Sequence, residues 1–445
     1  MPQARQETPY QETLDFLFAL EADRGIDLEL DRVRRALRAL GSPERAFDSI
    51  HIGGTNGKGS TAALLHAVLT AQGYRTGLYT SPHLVDFRER IRVGTRSISP
   101  AEVVCLTRAL RRRLEARGLQ LTYFEFVTVL ALCYFARSRV EIAVVEVGLG
   151  GRLDATNVLA PAAAVVTSVG LDHEGYLGQD VASIAREKGG IIKRGVPTLV
   201  GPVDEGVKRI FREIARREGA AVHFAGERFA VRIRDDGTFD YDGFGWRLAA
   251  LPLSLRGSFQ RSNAALALAA LEQVQDRWPV QEDGVRRGLG TARWPGRLDV
   301  VGEDPLVVLD GAHNVQAVET LLRELPAVTG GRRVRLLFAV MRDKRWSEMV
   351  RLLSGIADAV VVTRVGGPRG EEPARLADAF APAVPARAVE DPCGAFREAL
   401  SRTGPGEALL VCGSLYLVGA VYPFAAAADG GHAPFFGAGL EGGGE

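Results

Sequence analysis

The chain has 445 residues, 46% of them hydrophobic and 24% charged, with a formal net charge of +1. That length exceeds one ordinary core and predicts two or three domains, and the near-zero charge offers no field to nucleic acid or an acidic membrane. No apolar run reaches the roughly 18–20 residues that span a bilayer, and the opening MPQARQETPYQET lacks a signal peptide's apolar stretch, so a cytoplasmic location is expected.

Residues 11–40 read as helices, with Leu14, Leu17 and Phe18, then Val33, Leu37 and Leu40, at helical spacing. The apolar run 50–52 leads into GGTNGKGS at 53–60. Leu64/Val68 and Leu65/Leu69 then repeat four apart, giving strand, glycine loop and helix. Strands are predicted at 142–147 (IAVVEV), 163–169 (AAVVTSV) and 197–200, separated by helical patterns as in parallel α/β sheets. Residues 221–256 alternate in short pieces broken by DDG at 235–237 and DG at 242–243, which predicts hairpins at the edge of the first domain.

An Ala/Leu-rich helix covers 262–275, and WPGR at 294–297 breaks the pattern. A second alternation follows, with strands near 306–310, 334–340, 359–363 and 408–412. The expected fold is α/β. A P-loop ATPase-type domain with a parallel sheet covers 1–293, and a linker covers 294–297. A smaller Rossmann-like α/β domain covers 298–425, and a flexible Ala/Gly-rich tail covers 426–445.

The four cysteines (Cys105, Cys133, Cys393, Cys412) form no CxxC pair and read as reduced core thiols. Only five lysines (58, 188, 193, 208 and 344) stand against fifty arginines. A retained lysine asks what an ammonium does that a guanidinium cannot: it is compact, can lose its proton and can be modified.

The glycine loop carries the first chemistry. Between strand and helix it aims backbone N–H groups and the helix's positive end at a phosphate. Lys58 would reach the β and γ phosphates, and Ser60 or Thr61 could help hold Mg²⁺. The loop departs from the common GxxxxGK[ST] pattern, because Gly59 separates Lys58 from Ser60. A plain glycine turn is the structural alternative. Three further pieces sit near strand ends: SPH at 81–83, Glu146 closing IAVVEV, and LDH at 171–173. A carboxylate and a histidine at the ends of adjacent parallel strands lie where α/β ligand sites form. Taken alone, His173 reads more readily as a structural hydrogen-bonding residue.

The variant loop GTNGKGS resembles the ATP loop of the Mur-ligase superfamily, and the resemblance runs to about residue 420. It is closest to the folylpolyglutamate synthase/dihydrofolate synthase family. That resemblance implies that Gly54, Thr55, Asn56, Gly57, Lys58, Gly59, Ser60 and Thr61 bind ATP, with Asn263 on the adenine. Arg297, Asp310 and His313 would join them from the linker and second domain, and Asp343 and Lys344 would lie near the nucleotide. It assigns Ser81, Glu146 and His173 to Mg²⁺, two ions in all, and admits K⁺. Lys188, in REKGGI, matches a lysine that CO₂ carbamylates; otherwise it is a surface lysine on a helix. Carbamylation needs a neutral primary amine, which arginine cannot supply. Gly189 stands where the family has Ala, Val315 where it has Pro, and Arg345 where it has Asp.

For the acceptor, Thr122, Tyr123, Phe124 and Glu125 match segments that hold a pterin-type substrate, as do Leu153, Asp154 and Ala155 in RLDATN. Asp27, Leu28 and Leu30 match a third segment, with Glu29 in place of Gly. Core aromatic packing is the alternative for TYFEF. The implied reaction joins L-glutamate to dihydropteroate or a reduced folate through an acyl phosphate, with Lys58, His173 and carbamylated Lys188 in the catalytic cluster. A monomer acting on small molecules is expected. The alternatives are a folylpolyglutamate synthase only, or a nucleotide-binding regulator without catalysis. About fifty residues precede the loop, too few for the UDP-substrate domain of a cell-wall Mur ligase.

Overall fold

A computed structural model describes residues 8–24 and 29–427. Asp27, Leu28 and the tail from 428 therefore lie outside the described residues. Eight strands build the first sheet: β1 (Asp48–Gly53), β2 (Thr76–Tyr79), β3 (Ile91–Val93), β4 (Arg96–Ser97), β5 (Ile142–Glu146), β6 (Ala163–Val166), β7 (Thr198–Val200) and β8 (Val222–Phe224). Their order is β4-β3-β2-β5-β1-β6-β7-β8, parallel except for the β2-β3-β4 edge. Three antiparallel strands, β9 (Ala230–Ile233), β10 (Phe239–Asp242) and β11 (Arg247–Leu251), form a separate sheet.

Alternation along the central strands decides the layers. Ile50 and Ile52 of β1, with Ile142 and Val144 of β5, face one core. That core also takes the helices Lys58–Ala71, Phe259–Val274 and Glu282–Thr291. Ala143 and Val145 face the opposite core, under helices Pro9–Arg24, Leu30–Ala39, Pro100–Glu115 and Tyr123–Arg137. Side chains of period two, buried on both faces, are what a central parallel strand requires.

The second domain has six strands: β12 (Asp299–Glu303), β13 (Leu306–Leu309), β14 (Val334–Phe338), β15 (Ala357–Val362), β16 (Ala386–Ala388) and β17 (Ala408–Cys412). Their order is β12-β13-β17-β14-β15-β16, and only β12 runs antiparallel to its neighbour. Among the described residues no helix is long and apolar enough to cross a membrane.

Two expectations need correction. The first piece of 221–256 is no hairpin: β8 pairs in parallel with β7 and extends the main sheet. The preceding helix Glu205–Glu218 supplies the crossover that a parallel neighbour needs. The cysteines are free, but Cys105 is exposed and only Cys412 is buried.

Close helix packing gives a test of the fold. A Cβ on Gly288 would lie 2.4 Å from Val68 Cα, where helix Glu282–Thr291 meets helix Lys58–Ala71. Backbone cannot yield as a side chain can. Gly288→Ala is expected to cost about 1–3 kcal/mol, read as a lower urea midpoint of the first domain.

Candidate active site

The strand order β2-β5-β1-β6 brings four C-terminal ends side by side. Ser81 follows β2, Glu146 ends β5, the glycine loop follows β1, and residues 167–173 follow β6. Register fixes the details: Ile52 pairs with Glu146, and Gly53 with Val166. The loop is pinned from β6. Thr55 N donates to Ser168 O at 2.8 Å, and Thr167 Oγ1 donates to Asn56 O at 2.7 Å. Gly54 has φ +136°, and a Cβ there would sit 2.0 Å from Thr167 Oγ1. Gly59 has its own reason: a Cβ would lie 2.4 Å from the ring of Trp294 in the linker. The residue that spoils the common P-loop spacing is the one that lets the linker pack on the loop.

One cavity of about 400 Å³ opens here between the domains. It is walled by 54–60, Ser81, Glu146, His173, Lys188 and Asn263 from the first domain, and by Arg297, Asp310 and His313. Thr61 is fully buried behind the loop and does not reach the cavity. Lys58 Nζ donates to Gly54 O at 3.2 Å and Thr55 O at 3.0 Å. Lys188 is buried, and its Nζ donates to Gly54 O at 2.8 Å. Burial, reinforced by the Lys58 charge, pushes its ammonium down to about 7. A surface lysine is thereby excluded, and neutral amine is available at neutral pH.

Glu146 is buried and, among the described residues, accepts one hydrogen bond, from Ser81 N at 3.3 Å. Burial pushes its carboxyl up to about 7, against the pull of Lys58. Burial also lowers the His173 imidazolium to about 4, which leaves a lone pair free at neutral pH. An under-satisfied buried carboxylate, a neighbouring hydroxyl and a neutral imidazole fit a hard divalent ion that keeps positions for phosphate oxygens and water. Among the described residues no three His, Cys, Asp or Glu side chains converge, so Glu146 is the set's one carboxylate.

The second domain is held by Asp172. Its Oδ1 lies 2.6 Å from Lys344 Nζ, and its Oδ2 accepts from Asn314 Nδ2 at 3.1 Å, with His313 Nε2 at 3.5 Å. Asn314 also exchanges hydrogen bonds with Asn56 of the loop, at 3.1 and 3.2 Å. Lys344 therefore bridges the domains and lies outside the main cavity. Asp310 spends its oxygens on Leu298 N and Ala312 N, at 2.7 and 2.8 Å, fixing the linker beside Arg297. Val315 opens its helix without proline because Asn314 caps it, accepting from Ala317 N at 2.9 Å.

The family models that match are the Mur ligase middle domain over residues 52–271 and the Mur ligase glutamate ligase domain over 296–415. The dihydrofolate synthase/folylpolyglutamate synthase of Bacillus subtilis is 34% identical over 415 residues, covering 88% of this chain and 94% of that one. The chain belongs to the dihydrofolate synthase/folylpolyglutamate synthase family. It is an ATP-dependent ligase with a two-domain Mur-type fold.

Solved members agree with the ligase in shape. FolC of Escherichia coli, in complex with DHPP and ADP, has TM-score 0.86 and 33% identity, covering 96% of this chain and 100% of that one. The bifunctional Yersinia pestis enzyme with AMPPNP and a manganese ion has TM-score 0.84 and 33% identity, covering 95% and 99%. ATP and a divalent metal belong to the ligase's chemistry.

The segments expected to hold the acceptor lie beside the cavity, not on its wall. Thr122 caps helix Tyr123–Arg137, and Glu125 returns the bond to Thr122 N at 2.7 Å. Arg32 grips Glu125 with Nε and Nη2 at 2.9–3.2 Å. The Phe124 ring underlies Gly148, where a Cβ would meet it at 2.2 Å, and Gly148 walls the cavity. Leu30 is buried on the neighbouring helix. Asp154 is buried and accepts from Leu149 N at 2.8 Å, and Leu153 and Ala155 flank it. Gly151 and Gly190 let this segment press onto the end of the Lys188 helix: a Cβ on Gly190 would lie 2.3 Å from Arg152 Cα. Sequence reasoning missed Arg32 and Asp172. Arg32 lay two residues beyond the flagged Leu30, and Asp172 beside the flagged His173.

Two outcomes follow for the ligase. Lys344→Met leaves a buried carboxylate short of its cation, a loss worth about 3–5 kcal/mol. Solution scattering should show a larger radius of gyration, and the KM for ATP should rise. If Glu146 holds the metal it must be ionised to do so, and with burial pushing its carboxyl up to about 7, Mg²⁺ affinity should be full above that pH. It should fall about tenfold per pH unit below it, measured by calorimetry.

Proposed function

We propose that the protein adds L-glutamate both to dihydropteroate, forming dihydrofolate, and to reduced folates, extending their γ-glutamyl chain. One observation carries this reading. The glycine loop, the Glu146/Ser81/His173 set, Lys188 and the linker Arg297 all wall a single interdomain cavity, beside the segments 122–125 and 153–155.

In the proposed reaction an acceptor carboxylate oxygen attacks the γ-phosphorus of ATP, and ADP leaves. Loop N–H groups and Lys58, turned from its carbonyls onto the phosphates, stabilise the charge on the transferring group. Arg297 does the same from the linker, and Asn263 supports the adenine. Mg²⁺, two ions in this reading, would be held by Ser81, Glu146 and His173 and would supply neutralisation of the phosphate charge. The glutamate amine then attacks the acyl carbon of the acyl phosphate, and the tetrahedral adduct collapses to the amide with loss of phosphate. Domain closure through Asp172 keeps water from the acyl phosphate. We assign the working form as a cytoplasmic monomer, and K⁺ is the further ion to vary in the assay.

Lys188 is proposed to carry a carbamate. The neutral amine forms an N–C bond to CO₂ and releases a proton, adding an anionic oxygen donor to a site with one carboxylate. Since burial has brought its ammonium down to about 7, carbamylation should increase above that pH and be lost below it. Labelled bicarbonate should give a carbamate signal in the wild type and none in Lys188→Arg. That variant should lose roughly 10–100-fold in activity; unchanged activity would remove the chemical role.

The functional test supplies MgATP and glutamate with dihydropteroate or tetrahydrofolate separately. Phosphate and product mass are measured. Amide with both acceptors is expected. Amide with tetrahydrofolate alone would favour the narrower folylpolyglutamate reading, for which Glu29 offers a reason: its carboxylate pairs with Arg32 at 2.6 Å beside Glu125. Phosphate release without any amide would defeat both.

A further inference from the structure

One buried titratable group has no part in this scheme. His51 sits in the middle of β1 with no exposed surface. Its Nε2 lies 2.8 Å from Thr156 Oγ1, and its Nδ1 has no hydrogen-bond partner among the described residues. Thr156 Oγ1 in turn makes a very short contact with Asp154 Oδ1.

Proton counting orders this chain. A threonine hydroxyl has one proton to give. Burial raises the Asp154 carboxyl, but it accepts from Thr156 N at 3.0 Å and Leu149 N at 2.8 Å, and these donors favour the ionised form. The Thr156 proton therefore points to Asp154, and the hydroxyl oxygen accepts from His51. That makes His51 the Nε2–H tautomer with a bare Nδ1. The reverse order would bury a protonated acid against two amide donors and strand an Nδ1–H in the core, which costs more. Burial, with a smaller push from Lys193, keeps the ring neutral by lowering its imidazolium to about 3.

The surroundings grip the same turn. Lys193 Nζ donates to Asn157 O at 2.8 Å and to Leu159 O at 2.5 Å, and Asn157 Nδ2 donates to Gly190 O at 3.0 Å. Thr156 fills Oδ1 with two donors, while Oδ2 takes the Leu149 amide. Oδ2, buried with the rest of the side chain, turns to the backbone of 148–149, which walls the cavity.

We propose that His51 and Thr156 are positioning residues: the chain His51–Thr156–Asp154 sets the Asp154 carboxylate for the acceptor and, through Leu149 N–H, holds the glycine wall that follows Glu146. The proposal rests on the reading of Asp154 as an acceptor contact. It sets a division of labour within RLDATN, in which the aspartate meets substrate and the threonine aims it.

The test uses the full chain with MgATP, glutamate and dihydropteroate. Thr156→Val should raise the KM for dihydropteroate about tenfold, the loss of one hydrogen bond to a charged group, while the KM for ATP stays within about twofold. Thr156→Ser keeps the hydroxyl and should retain the wild-type value. His51→Leu should follow Thr156→Val. Equal effects of Val and Ser, or ATP and dihydropteroate KM rising together, would reduce the chain to a folding element. Asp154→Asn separates the two layers. If it leaves the dihydropteroate KM unchanged, the acceptor reading of Asp154 falls; if it raises that KM and Thr156→Val does not, the chain falls. Should Thr156→Val fail to fold, ring-nitrogen NMR of His51 in the unaltered protein decides: an Nε2–H tautomer is expected, and Nδ1–H overturns the proposal.

Discussion

A buried carboxylate holds this molecule in its working shape. Burial alone would push the Asp172 carboxyl up. The His313 and Lys344 partners more than offset that and keep it well below the usual carboxylate range. Its closest side-chain partners, Lys344, Asn314 and His313, come from the second domain, while its backbone and the more distant His173 belong to the segment after β6. A desolvated anion cannot be left without them. The same residue precedes His173, so the lock between domains and the edge of the metal set share one turn of chain. Asn314 extends the lock to Asn56, which ties it to the phosphate loop.

The chemistry then depends on what surrounds each ionisable group. Lys58 and Lys188 both donate to the Gly54 carbonyl. Their mutual repulsion and burial explain why an amine among them can be neutral. Glu146 lies within the field of Lys58, Arg297 and Arg90, yet burial still dominates its carboxyl.

Most of the sheet was legible because strands buried on both faces write unbroken apolar runs, as in IAVVEV and ALLVC. The loop was legible because its glycines sit between such a run and a helical pattern. β8 was not. Val222–Phe224 is three residues long, and its partner is set by the crossover helix before it, which local alternation does not encode. At the site, most residues gathered in the cavity follow a strand or a linker break, where position in the chain predicts position in space; Lys188 and Asn263 come from helices instead. The acceptor segments were recognisable only as patterns. The structure shows that Thr122, Glu125 and Asp154 also cap helices and anchor turns, so their spelling answers to folding as well as to ligand. Gly59 shows the opposite case. Its departure from the common spacing looked like a family mark, and its cause, the ring of Trp294, lies 235 positions away in the sequence.

The lysine shortage has a further side. None of the five lysines is exposed: Lys58, Lys188 and Lys344 stand at the domain junction, Lys193 is tied to two carbonyls, and Lys208 is paired with Glu205 and Glu227. The outer cations of the described residues are guanidinium groups, which stay protonated and are poor nucleophiles. An enzyme that makes an activated acyl group thus presents no side-chain amine on its outer face to be acylated by whatever escapes. Its lysine amines are thereby kept from its own intermediate.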